Sequence, residues 1–314
     1  MSVPAYHMRK NKAADRFALI EAIKFLPRIG YDYREYTYFS LGGPYLDDIR
    51  LMYEFYPEIS MISIEEDPNV CRRQDFHRPC GTVTLVNSDM RTFIAEYESE
   101  DKKSIFWLDY TGLEYTNFED FEMLLTRVAE GSMVKITLRA DPRRYKKRWQ
   151  QNIFRRDFAK LLPEPMGDIP WQFENFARLV QDMLRMASYR ALSAASPLMF
   201  HPISSFYYSD GTYILTLTGI VWPRNKTETL LTAYRDWPFS NLNWDIPRLI
   251  DIPDLSTQER LHIQRHLPCE MTDGAFLRRA LGYLIKKDAE QTDAALQQYA
   301  DFHRYFPYFL RGVP

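Results

Sequence analysis

Gly42-Gly43 sits between an apolar-aromatic run, Tyr38-Phe39-Ser40-Leu41, and a segment with apolar residues at helical spacing, Ile49, Leu51, Met52 and Phe55. Two adjacent glycines allow positive φ and leave no Cβ to hold a ligand off the backbone. Pro44 suits the first position of the helix that follows. Strand, tight turn, helix is the arrangement in which an α/β sheet binds a nucleotide-like cofactor at the carboxyl end of its first strand. The same three residues also make an ordinary surface turn. A second run, Ile59-Ser60-Met61-Ile62-Ser63-Ile64, ends in Glu65-Glu66-Asp67-Pro68, which puts Glu65 22 positions after Gly43. An acid there, at the tip of a second parallel strand, accepts hydrogen bonds from ribose hydroxyls. The bland alternative is a charged strand exit.

A third feature is charge. Residues 139–156 hold Arg139, Arg143, Arg144, Lys146, Lys147, Arg148, Arg155 and Arg156 against the single acid Asp141, a local charge of +7 in a chain whose net charge is -2. Tyr145, Trp149 and Phe154 are interleaved. Cations with aromatics supply phosphate neutralisation and base stacking, so the segment is a candidate RNA or DNA contact centred on Arg143, Arg144, Lys146, Lys147 and Trp149. The alternative is a solvated helix face.

The elements that must position these residues alternate between strand and helix. Apolar residues from Phe17 to Leu26 recur at helical spacing. Beyond the glycine turn, Thr82–Val86, Ser104–Leu108 and Ser132–Leu138 read as further buried strands, closed in turn by Asn87-Ser88-Asp89, by Asp109-Tyr110-Thr111-Gly112 and by the basic segment. Near-continuous apolar strands separated by helices predict a parallel sheet covered on both faces, with the strand ends gathered on one edge as a cleft. Residues 204–208 and 213–221, joined by Ser209-Asp210-Gly211-Thr212, predict a late antiparallel hairpin. Helical segments are expected over Lys226–Tyr234, Ser256–His266 and Asp273–Tyr305, the last interrupted at Gly282. Residues 223–255 are the best linker.

Composition bounds the rest. The chain has 314 residues, 46% apolar and 26% charged, as in soluble globular proteins, with a high aromatic content of 15%. Cys71, Cys80 and Cys269 form no metal-binding or disulfide pattern, which makes a reduced, cytoplasmic setting the default. No metal-ligand spacing, nucleophile elbow or Walker loop is present. No run is apolar enough to span a membrane, and the N-terminus has no apolar signal core.

Five strand-helix units followed by a late hairpin resemble a class I S-adenosylmethionine-dependent methyltransferase. The resemblance covers roughly residues 35–222, and the whole chain is similar to bacterial proteins grouped as O-methyltransferases. It implies a Rossmann-like α/β fold with a mostly parallel seven-stranded sheet. In that arrangement residues 1–34 form an N-terminal helical arm. Residues 35–222 form the α/β domain with a basic helical insertion at 139–200, and 223–314 form a helical C-terminal region. The resemblance also implies a cofactor, S-adenosylmethionine, held by Ser40, Gly42, Gly43, Glu65, Ser88 and Asp89. Asp109 and Tyr110 then fall where such enzymes keep catalytic or substrate-orienting residues. Asp-Tyr-Thr-Gly is not the Asn/Asp-Pro-Pro-aromatic motif of amino-methylating nucleic-acid enzymes, which argues against that chemistry. Two other readings use the same glycine-acid spacing: a methyltransferase-like module that binds nucleotide or nucleic acid without turnover, and an NAD-dependent oxidoreductase, which the hairpin disfavours.

Overall fold

The structure, a computed structural model, describes residues 9–99, 102–163, 168–170, 172–268 and 273–305; Cys269 and Thr272 lie outside them. In chain order the elements are α1 (Lys10–Ile23), β1 (Tyr36–Ser40), α2 (Asp47–Phe55), β2 (Ser60–Glu65), α3 (Pro68–His77), β3 (Thr84–Asn87), α4 (Met90–Glu96) and β4 (Lys103–Asp109). There follow α5 (Tyr115–Leu125), β5 (Met133–Leu138), α6 (Arg148–Asp157), α7 (Phe173–Ala191), β6 (Leu198–Ser209), β7 (Tyr213–Pro223), α8 (Thr227–Tyr234), β8 (Arg248–Ile250), α9 (Thr257–Gln264), α10 (Gly274–Leu281) and α11 (Ala289–Phe302).

The strands form a sheet in the order β3-β2-β1-β4-β5-β7-β6-β8. β1 pairs in parallel with both β2 and β4, β2 with β3, and β4 with β5, whereas β7 runs antiparallel to β5. This is the Rossmann-like methyltransferase architecture expected from the alternation of strands and helices. The sheet has eight strands rather than seven, because Arg248–Ile250 forms β8 inside the stretch expected to be linker. Three residues are too short a run for periodicity to reveal.

Register assigns the sheet's two faces. Ser40 is aligned with Ser63 on one side and with Trp107 on the other, and Trp107 is aligned with Lys135. Side chains alternate along a strand, so these four residues share one face and Phe39 and Phe106 share the opposite one. On that second face Phe39 and Phe106 stack with centroids 4.3 Å apart, and Phe93 and Tyr97 of α4's end close around them. On the first face the buried indole of Trp107 donates to Thr137 Oγ1 at 2.9 Å, and Lys135 Nζ lies 5.0 Å from the Trp107 ring centroid.

The chain folds as two compact units. The larger, residues 18–207 and 211–248, holds β1 to β7 apart from the tip of the hairpin, together with all the candidate site residues. In the smaller unit, the side chain of Asn11 donates to Asp210 Oδ1 at 2.9 Å and accepts from Ile252 N at 3.0 Å, and Lys10 pairs with Asp254. There α10 ends at Gly282, a left-handed cap with φ of 83°, so the last helical stretch is two helices. Among the described residues, no helix is long and apolar enough to cross a membrane.

Candidate cofactor and acceptor site

The glycine turn leaves β1 with both residues left-handed, Gly42 at φ 61° and Gly43 at φ 57°. They serve different ends. A Cβ on Gly42 would stand 2.5 Å from Ser63 Oγ and 2.6 Å from Leu46 Cδ2, so this glycine lets the turn press onto β2. A Cβ on Gly43 would meet nothing within 4 Å, so its open side can face a ligand. Pro44 does not start the helix as expected. The chain makes a further turn, the buried Leu46 takes a left-handed conformation at φ 54°, and α2 begins at Asp47.

Gln74 of α3 secures the turn. It is fully buried; its Nε2 donates to the carbonyl oxygens of Leu41 and Gly43 at 3.2 and 3.0 Å, and its Oε1 accepts from Ser63 Oγ at 3.0 Å. Gln74 is not among the site residues expected from the sequence. The available signal was its position four residues after Val70, which puts an amide on the helix's inward face.

Glu65 and Asp109 lie two residues beyond Ser63 and Trp107 on their strands, so both project from the face that carries Ser40 and the Gly42 contact with Ser63. The turn and these two carboxylates therefore share one face at the carboxyl edge of three neighbouring strands. Glu65 is half-buried; its Oε1 accepts from Asp67 N at 2.9 Å, and burial pushes its pKa above the ordinary 4.5. Its carbonyl oxygen accepts from Ser88 N at 3.1 Å and Asn87 Nδ2 at 2.7 Å, which ties the end of β3 to that of β2. Asp89 caps α4 by accepting from Thr92 N at 2.9 Å, and hydrogen bonds from the Thr92 hydroxyl and then from this N–H hold its carboxyl below the usual range. The hydroxyl of Ser40 is buried at the end of β1, on the same face as the Tyr38 hydroxyl. A buried hydroxyl, an open glycine and a half-buried carboxylate on one edge fit the methionine and ribose parts of an adenosylated sulfonium.

Tyr110 parts company with Asp109. Its hydroxyl donates to Asp120 Oδ2 of α5 at 2.9 Å, and Asp120 is buried and lies 3.2 Å from Arg91 Nε of α4. Burial, followed by the Asp120 charge, raises the Tyr110 pKa, so this phenol stays protonated. Tyr110 thus anchors the loop to the helical layer, while Asp109 stays with Glu65 and the turn.

The basic segment starts at the same edge. Tyr110 N donates to Thr137 O at 3.1 Å and Arg139 N to Gly112 O at 3.0 Å, joining the exits of β4 and β5. Arg143 grips the buried Asp141 through Nε and Nη2, both at 2.9 Å, and lies over the Tyr213 ring at 4.3 Å. Arg144, Lys146, Lys147 and Trp149 are exposed.

Several solved structures are similar in outline. The plantazolicin methyltransferase BamL in complex with SAH is 9% identical, with a TM-score of 0.44 over 67% of this chain and 85% of its own. Trm1 from Pyrococcus horikoshii in complex with S-adenosyl-L-methionine is 13% identical, with a TM-score of 0.45 over 69% of this chain and 57% of its own. An O-methyltransferase from Klebsiella pneumoniae, titled as putative, is 11% identical, with a TM-score of 0.39 over 70% of this chain and 84% of its own. No curated protein matches the sequence. Residues 4–313 match the model of the family described as "Putative O-methyltransferase", and the chain belongs to that family.

Proposed function

We propose that this protein transfers the methyl group of S-adenosylmethionine to an oxygen of its acceptor. One observation carries the reading: the glycine turn, Glu65 and Asp109 occupy one face at the carboxyl ends of three adjacent parallel strands, where such sheets bind ligands. When bound, the cofactor supplies an electrophilic methyl on a positively charged sulfur. Ser40, Gly42 and Gly43 hold the methionine part, and Glu65 accepts hydrogen bonds from the ribose hydroxyls. Ser88 and Asp89 flank the adenine. Asp109 orients the acceptor hydroxyl and takes its proton as the new carbon–oxygen bond forms and the carbon–sulfur bond breaks. Tyr110, its own hydroxyl committed to Asp120, fixes the position of Asp109. The free thiols of Cys71 and Cys80 accord with a reducing, cytoplasmic setting.

Calorimetric titration with S-adenosylhomocysteine tests this directly. The wild-type protein binds it and ignores NAD, Glu65→Gln binds more weakly, and Asp109→Asn binds as wild type but transfers no methyl group. Absence of binding to the wild-type protein, or equal loss of binding in Asp109→Asn, overturns the assignment.

A further inference from the structure

The surface around α6 is built in a way that stability does not require. Its inner side is apolar: Phe154 is buried, and Tyr145 packs on Phe154 and Phe176 with centroids 4.8 and 5.7 Å away. Arg143 is locked onto Asp141, Arg155 pairs with Asp168 and Arg156 with Asp157. Arg144, Lys146, Lys147 and Arg148 are left exposed, with no ion pair among the described residues. Trp149, next in sequence, is 58% exposed, and Ile153, one turn further on, is 39% exposed. Four adjacent cations without counter-charges repel one another, and an exposed indole contributes little to folding, so neither stabilises the native chain.

We propose that this surface binds a single-stranded polynucleotide and delivers one of its nucleotides to Asp109, which makes the methyl acceptor a nucleic acid. The exposed cations follow one another closely along the chain, as neutralisation of successive phosphates requires, and the exposed indole next in sequence gives a base a stacking platform. The location agrees: Thr137 is aligned with Asp109, and these cations begin a few residues later, after Arg139 has bonded to Gly112. A bilayer is the poorer match. The helix's main apolar side, Phe154, is already in the core, and the two apolar side chains left outside bury too little area for interfacial binding. The acceptor assignment rests on the proposed methyl transfer, whereas the binding surface stands on its own.

Fluorescence anisotropy of the intact protein tests it, using labelled single-stranded RNA, DNA of the same sequence, their duplexes, and phosphatidylcholine–phosphatidylserine vesicles. Single strands bind best, with affinity falling as salt rises at a log–log slope of about -3 for four phosphate contacts. Charge reversal of Arg144, Lys146, Lys147 and Arg148 to Glu weakens binding on the order of a hundredfold and flattens that slope. Trp149→Ala costs about tenfold, as expected for a lost stacking contact. S-adenosylhomocysteine titrated into the same variants reports an intact fold and cofactor site. Unchanged RNA binding after charge reversal, or a preference for vesicles over RNA, overturns the proposal. Wild-type protein that binds RNA but not S-adenosylhomocysteine removes the acceptor assignment and leaves the surface.

Discussion

The side-chain amide of Gln74 donates to the carbonyl oxygen of Gly43 at 3.0 Å while accepting from Ser63, so one residue of α3 clamps the turn after β1 to the middle of β2. Removing it leaves a buried hydroxyl and two carbonyl groups short of partners, and each unsatisfied buried group costs roughly 1–3 kcal/mol. Gln74→Leu keeps the volume and discards the bonds. Urea denaturation of this variant should show a loss of about 2–3 kcal/mol, with weaker binding of S-adenosylhomocysteine because the turn is no longer held.

Gly42 and Gly43 have almost the same φ yet should fail differently. Each alanine substitution carries a left-handed penalty of about 1–2 kcal/mol. At Gly42 the new methyl also strikes Ser63 and Leu46, so Gly42→Ala is the more destabilising of the pair in a thermal melt. At Gly43 the methyl enters open space, which the proposed function gives to the cofactor. Gly43→Ala should therefore lose more affinity for S-adenosylhomocysteine than its modest drop in stability accounts for.

The raised pKa of Glu65 gives ligand binding a pH signature. Only the ionised carboxylate accepts from two ribose hydroxyls at once, so affinity is full above its pKa and falls as the solution is acidified through it. Burial is the principal cause of the shift, so the fall begins at a higher pH than for a carboxyl at the ordinary 4.5. Folding runs the other way. The native state holds this proton more tightly than the unfolded chain does, so the group's contribution to stability rises as the pH falls through the window between 4.5 and the raised value. Calorimetry across this range on wild type and Glu65→Gln checks it; the variant should lack the acid-side fall.

Much of this arrangement was legible in the chain itself, because the physics involved is local. Runs such as Ile59–Ile64 and Ser104–Leu108 are near-continuously apolar, broken only by serines, as in strands covered on both faces, and the Gly43–Glu65 interval matched one strand-helix-strand unit. What stayed hidden depends on contacts between distant parts. Gln74 and Asp120 are ordinary helix residues until Ser63 and Tyr110 are folded against them. Leu46 gives no sign of a left-handed backbone, since nothing in its type favours one; packing of the turn imposes it and delays α2 to Asp47. β8 is a strand only because its neighbour supplies hydrogen bonds to a three-residue run.

On the proposed assignment, the site holds the cofactor through an open glycine and a carboxylate, neither of which touches the transferred methyl group. Spent and fresh donor then compete on nearly equal terms, since nothing in that grip measures whether the methyl is still attached. Turnover would follow the ratio of the two in the surrounding medium, and whatever clears the spent form would set the pace.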